Sequence, residues 1–135
     1  MITEAYVSFE VAKLLKEKGF NEPCYGFYGW EFDENDKEEI YFSRWTNSAH
    51  DNHFPDEYLM CAAPTHQMAV RWLRETHKLF IEVSPILNFE KEIVEGYRCY
   101  MDSFDDRCME SNTIFVSYEE ATEAAIKYAL GQALS

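Results

Sequence analysis

Ala62-Ala63-Pro64-Thr65-His66-Gln67-Met68-Ala69-Val70-Arg71-Trp72-Leu73-Arg74-Glu75-Thr76-His77-Lys78-Leu79-Phe80-Ile81-Glu82-Val83 reads as a helix that runs straight into a strand. Met68, Ala69, Trp72, Leu73 and Thr76 recur at the helical period and share one face, while Arg71, Arg74, Glu75 and Lys78 fall on the other. Thr65 suits the cap of the first turn, and Pro64 cannot extend the helix backwards. From Leu79 the period becomes that of a strand, with Leu79, Ile81 and Val83 alternating with Phe80, Glu82 and Ser84.

Towards the N-terminus, Ser8 to Gly19 predicts a first helix. Ser8 caps it, Val11, Leu14 and Leu15 form its apolar face, and Gly19 supplies the left-handed residue that ends it, with Phe20 folding back on the last turn. Cys24 to Phe32 is an aromatic strand whose glycines, Gly26 and Gly29, mark a bulge or a close approach. The polar run Asp33 to Glu38 turns the chain, and Ile40 to Trp45 returns as the second arm of an antiparallel hairpin. Thr46 to Glu57 is a polar loop, followed by a short extended piece at Tyr58 to Cys61. After the central helix and third strand, Ser84-Pro85 is expected to break the ladder, since proline has no N–H to give it. Leu87 to Glu92 forms a longer loop, Gly96 to Asp102 the returning strand, and Asp105 to Thr113 an acidic loop. Ser117-Tyr118-Glu119-Glu120 is a capping-box pattern that opens a last helix with Ala121, Ala124, Ala125, Tyr128 and Ala129 on one face, ending near Leu130 because Gly131 weakens its interior.

The expected fold is therefore α+β in the order αββαββα, helix, hairpin, helix, hairpin, helix. A four-stranded, mostly antiparallel sheet carries the helices mainly on one face. At 135 residues the chain is expected to form a single domain, 1–135. Lys13-Leu14-Leu15-Lys16-Glu17 resembles Arg71-Trp72-Leu73-Arg74-Glu75, each ahead of a hairpin, but charge and apolar spacing alone give such a match between two amphipathic helices.

Hydrophobic residues make up 47% and charged ones 27% of the chain, a globular balance that argues against disorder. Three Trp, nine Tyr and ten Phe exceed what a core of this size hides, so aromatic rings are expected at the surface. Twelve Lys and Arg against 25 Asp and Glu leave a formal charge of −13, which disfavours direct contact with a nucleic-acid backbone. No apolar run has the length of a membrane helix, and Met-Ile-Thr-Glu has no basic stretch leading into an apolar one, so a soluble cytoplasmic protein without membrane contact is expected. Cys24, Cys61, Cys99 and Cys108 are far apart with no C-x-x-C pair, and reduced thiols are expected.

Three blocks, Ser8 to Phe20, Ala63-Pro64-Thr65 leading to Trp72-Leu73-Arg74-Glu75 and His77, and Tyr118-Glu119-Glu120-Ala121 with Ala124-Ala125, resemble a family of small uncharacterised proteins encoded by phages and prophages of gut anaerobes. The resemblance covers about a third of the chain. It implies an intracellular accessory protein from a mobile element, and it carries no site residue.

Candidate chemistry is sparse. His50-Asp51-Asn52-His53 with Asp56 is the densest cluster of ligand types, and His50, His53 and Asp56 are the donors a loop could fold around zinc or another divalent ion. The competing reading is a solvated polar loop, since no H-x-x-x-H register is present. Cys61 and His66 are the one thiol and imidazole close in sequence, and a free cysteine is more often a small buried hydrophobe. Phosphate-binding glycine loops are absent, and no recognition helix follows the first helix. Arg71, Arg74 and Lys78 form a basic stripe in an acidic molecule, either a solvated face or the receiver of an acidic partner. The leading expectation is a non-enzymatic interaction module with an unknown protein partner, a homodimer being one possible form, and no cofactor. The alternatives are an acidic nucleic-acid mimic that binds a DNA-binding protein, and a metal-dependent enzyme using the His50 to Asp56 loop.

Overall fold

The structure is a computed structural model that describes residues 2–54 and 60–134. The chain divides into two compact units, Met1–Thr65 and His66–Ser135. Both are α+β.

In the first unit, α1 (Phe9–Glu17) begins where the Ser8 Oγ accepts from the Val11 amide at 3.2 Å. It ends as the sequence demands: Gly19 takes φ +90°, its amide reaches the Lys16 carbonyl, and Phe20, which is buried, donates to Leu15. Val11, Ala12 and Leu15 form the buried stripe, and α1 packs against β3. β1 (Gly26–Phe32) and β2 (Glu38–Arg44) make the hairpin, from Gly26 opposite Arg44 to Phe32 opposite Glu38. Its turn is held by the Asp33 carboxylate, which accepts from the Asn35 and Lys37 amides at 2.8 Å each, while Asp36 takes φ 57°. Gly29 meets a close approach: a Cβ there would overlap the ring of Tyr41 on β2. A third strand, β3 (Met60–Ala63), pairs antiparallel with the other side of β1, so the order is β2-β1-β3.

The second unit opens with α2 (His66–His77), which buries Ala69, Trp72 and Leu73 and packs on β4 and α3. β4 (Phe80–Asn88), β5 (Ile93–Asp102) and the two-residue β6 (Met109–Glu110) form a second antiparallel sheet in the order β4-β5-β6. α3 (Tyr118–Tyr128), whose Ser117 cap accepts from the Glu120 amide at 3.1 Å, lies over β4 and β5. Small side chains allow the approach: Ala121 and Ala125 close on Cys99, with Ile81, Val83, Tyr97, Met109 and Phe115 packed around them.

Several expectations are corrected. In place of one four-stranded sheet there are two three-stranded ones, because β3 and β6 each add a strand to one hairpin. Pro85 does not break the ladder. Tyr97, its partner, exchanges both backbone bonds with Phe115 on the opposite side, so Pro85 sits at a non-hydrogen-bonded position of an edge strand, where its missing N–H points outward. β4 accordingly continues to Asn88, and the Leu87 to Glu92 loop shrinks to a short turn. Lys78 lies beyond α2 with φ 56°, terminating the helix rather than continuing its stripe, and Thr76 is exposed. α3 does not stop near Leu130 but widens into a π-helical turn, Ala129–Ala133, closed by the Leu134 amide on the Ala129 carbonyl at 3.0 Å.

Candidate interaction surfaces

A sheet leaves unpaired N–H and C=O groups along its outer strands, and the two sheets present four such edges. At β3, residues 61 and 63 turn their backbone groups toward β1, and residues 60 and 62 turn theirs outward. Side chains seal that side: the Asn52 Oδ1 accepts from the Ala62 amide at 2.7 Å, and the Lys16 ammonium donates to the Met60 carbonyl at 2.9 Å. At β4 the edge carries Pro85, which has no donor, and a register shift between Ile86 and Leu87. β6 is two residues long.

β2 has none of these devices. All seven of its residues are exposed, including Ile40 at 48%, Tyr41 at 44% and Phe42 at 41%. It contains no proline, glycine or bulge, and among the described residues its sheet has no strand beyond it. The hairpin bonds fix which groups point out. Trp45 donates to Tyr25 and Asp33 to Lys37, so the odd-numbered residues of β2 turn their backbone groups toward β1. Glu38, Ile40, Phe42 and Arg44 turn theirs away. The same four side chains share one face. There Phe42 meets Tyr6 and Tyr28 with ring centroids 5.0 and 5.3 Å apart, and the Arg44 guanidinium rests 5.6 Å from the Tyr6 centroid. On the other face Tyr41 covers Gly29 and meets Phe27 edge-on, and Phe27 stacks on Trp45 at 4.5 Å. The edge is thus apolar at its centre, charged at its ends by Glu38 and Arg44, braced from both sides and, among the described residues, without a pairing strand.

The second sheet offers a different surface. On the face away from α3, a concavity of about 500 Å³ is lined by Glu82 and Ser84 of β4, Tyr100 and Asp102 of β5, and Cys108 and Glu110. Register sets Glu82, Tyr100 and Glu110 abreast across three strands. Beside it, Phe104 is 87% exposed and meets Phe80 edge-on, and Asp105 is held well below the usual carboxylate range by its hydrogen bonds from Arg107 and Ser103.

The residues singled out in the sequence are placed as follows. Arg71 and Arg74 are exposed on α2, and Arg71 bonds Glu75 at 3.0 Å one turn on. Lys78 donates to the Glu75 carbonyl. His50 and His53 are not brought together on a common group. The His50 backbone bridges Cys24 in both directions, its ring lies 4.4 Å from Trp45, and its Nε2 meets the Ser48 hydroxyl. The His53 ring meets the Asn21 amide at 2.9 Å and the Asp51 carboxylate at 3.3 Å. Asp56 lies outside the described residues. Among those that are described, no three His, Cys, Asp or Glu side chains are grouped so as to hold a metal ion.

Cys61 is fully buried, and burial pushes its thiol up to about 11. The His66 ring is bonded to Glu123 at 2.7 Å. A protonated thiol and an engaged imidazole do not make an activated nucleophile. No family model matches the chain, and no curated protein or solved structure does.

Two features escaped the sequence reading. Asn52 is a structural hub: besides its bond to Ala62, its amide donates to the Phe20 carbonyl at 2.8 Å and its backbone N–H to the Asn21 side chain. One asparagine thereby ties the polar loop to the end of α1 and to β3, and only its place in a turn-rich loop hinted at that. The open edge of β2 also escaped, because edge status is set by which strands pair.

Proposed function

We propose that the chain is a small non-enzymatic protein-interaction module whose recognition surface is the outer edge of β2. The observation that carries this reading is a row of outward backbone groups at Glu38, Ile40, Phe42 and Arg44, flanked by exposed Ile40, Tyr41 and Phe42, in a molecule whose other sheet edges are sealed, interrupted or short. An extended segment of a partner adds to such an edge as a further strand, with main-chain bonds giving affinity and alternate side chains giving selectivity. The setting that goes with this reading, an intracellular accessory protein of a phage or mobile element, rests on the three-block resemblance alone. No helix among the described residues is long and apolar enough to cross a membrane.

Capture from native host lysate tests the reading, run with nuclease and comparing the parent chain with Ile40→Pro and Ile40→Lys. Proline at this outward position removes an edge donor while leaving the β1 ladder intact. Proteins held by the parent are expected to be lost from both variants. Equal recovery on all three, with self-association also the same on all three, would overturn the role of β2.

The second reading, an acidic nucleic-acid mimic, is favoured by Glu82, Asp102 and Glu110 lining one concavity under a net charge of −13. It requires a DNA-binding partner whose affinity falls steeply with salt and falls further in Glu82→Gln/Glu110→Gln. Binding insensitive to salt would dismiss it.

A further inference from the structure

We infer that the partner of β2 is the β2 strand of a second copy of this chain, paired antiparallel about a two-fold axis that passes beside Tyr41. This rests on the reading of β2 as the recognition surface. A strand that pairs with itself must match outward groups to outward groups, and on β2 those belong to the even-numbered residues. With Tyr41 facing its own copy, the hydrogen-bonded pairs become Ile40 with Phe42 and Glu38 with Arg44, each occurring twice, and Glu39 faces Ser43. Apolar meets apolar at the centre, and acid meets base at both ends.

All four of these residues lie on the face where Arg44 is steadied over Tyr6, so each end of the ladder gains an ion pair beside the Ile40 and Phe42 contact. Neighbouring registers lose this. With Ile40 on the axis, Glu38 falls against Phe42 and Glu39 against Tyr41. With Phe42 on the axis, Ile40 falls against Arg44 and no charges pair. Charge complementarity therefore selects one register of one strand, and two three-stranded sheets become a six-stranded one. Such an interface is small, so association in the micromolar range is expected.

The test is sedimentation of the full chain against concentration. The parent should pass from monomer to dimer, and Glu38→Arg and Arg44→Glu should each weaken dimerisation about tenfold or more, because each opposes like charges at both ends. An equimolar mixture of the two variants should restore the dimer, since one end keeps its original pair and the other carries the same pair reversed. In a Cys108→Ser background, Tyr41→Cys should form an intermolecular disulfide with oxidised glutathione, and Ser43→Cys should not. A parent chain that stays monomeric, while Ile40→Pro still loses lysate proteins, would overturn the second copy and leave the role of β2 standing. A dimer indifferent to every β2 change would overturn the second copy, and lysate recovery equally indifferent to Ile40→Pro would overturn the role of β2 with it. A mixture that fails to restore what each variant lost would overturn the register, and the inference with it.

Discussion

The two units begin alike and diverge at the third strand. Each opens with a helix, then a hairpin, then one further strand. In the first unit that strand joins the first arm of the hairpin, which leaves the second arm, β2, on the outside. In the second it joins the second arm, which leaves β4 outside, and β4 carries Pro85 and a register shift. α3 also lies over the second sheet. Among the described residues, one unit therefore protects its edges and the other leaves one free, and the likeness between Lys13 to Glu17 and Arg71 to Glu75 does not extend to strand order. The lesson is that the exposed surface follows from where a short strand chooses to pair.

The largest effect expected is in the covered unit. Trp72 is buried on α2 and meets His77 edge-on at 4.8 Å, so Trp72→Ala should cost about 3 to 5 kcal/mol in chemical denaturation. A single domain requires that both units unfold in one transition, so in the parent chain probes at Trp30 and Trp72 should report coincident midpoints. A variant as stable as the parent would mean that this packing contributes little.

Next comes the sealed edge of the first unit. Asn52→Ala leaves the Phe20 carbonyl and the Ala62 amide without their side-chain partner, and about 2 kcal/mol should be lost. It also opens β3 as a second free edge, so self-association should increase. If stability and association both stay unchanged, the sealing role of Asn52 is wrong.

Alkaline pH should separate the units further. Burial pushes Cys24 up to about 12 and Cys61 up to about 11, from an ordinary 9.0, and both belong to the first unit. Above pH 9 an unfolded chain releases these protons while the folded chain keeps them, so the unfolded state binds fewer protons and stability falls as pH rises. The contribution is fully present below pH 9 and declines through about 11 to 12. Amide exchange should show the first unit loosening before the second. Cys24→Ala/Cys61→Ala should flatten the dependence, and an unchanged slope would contradict the assignment. The smallest effect is at Arg74, exposed on α2, where Arg74→Ala should stay within about 0.5 kcal/mol of the parent.

Much of this was legible in the sequence wherever local chemistry decides. Ser8 and Gly19 mark both ends of α1, Ser117 marks the start of α3, and the alternation of Ile40 to Arg44 marks a strand. What escaped depends on distant partners. β3 was legible only as an extended piece at Tyr58 to Cys61, of which Tyr58 and Leu59 lie outside the described residues; it has two buried alanines and no alternation, and β6 is two residues long, so only pairing with β1 and β5 makes them strands. Pro85 reads as a breaker until it is known that Tyr97 bonds away from it. The dense donors His50 and His53 drew attention as ligands, yet the loop that carries them is organised by Asn52 and by the backbone bridge to Cys24.

Residue-resolved amide exchange along β2, at low and high protein concentration, tests the central claim most directly. The outward amides of Glu38, Ile40, Phe42 and Arg44 should exchange rapidly in dilute solution and become protected as concentration rises, while those of Glu39, Tyr41 and Ser43, already bonded to β1, should not respond. Exchange along β2 that ignores concentration, or protection that develops along β4 instead, would contradict it.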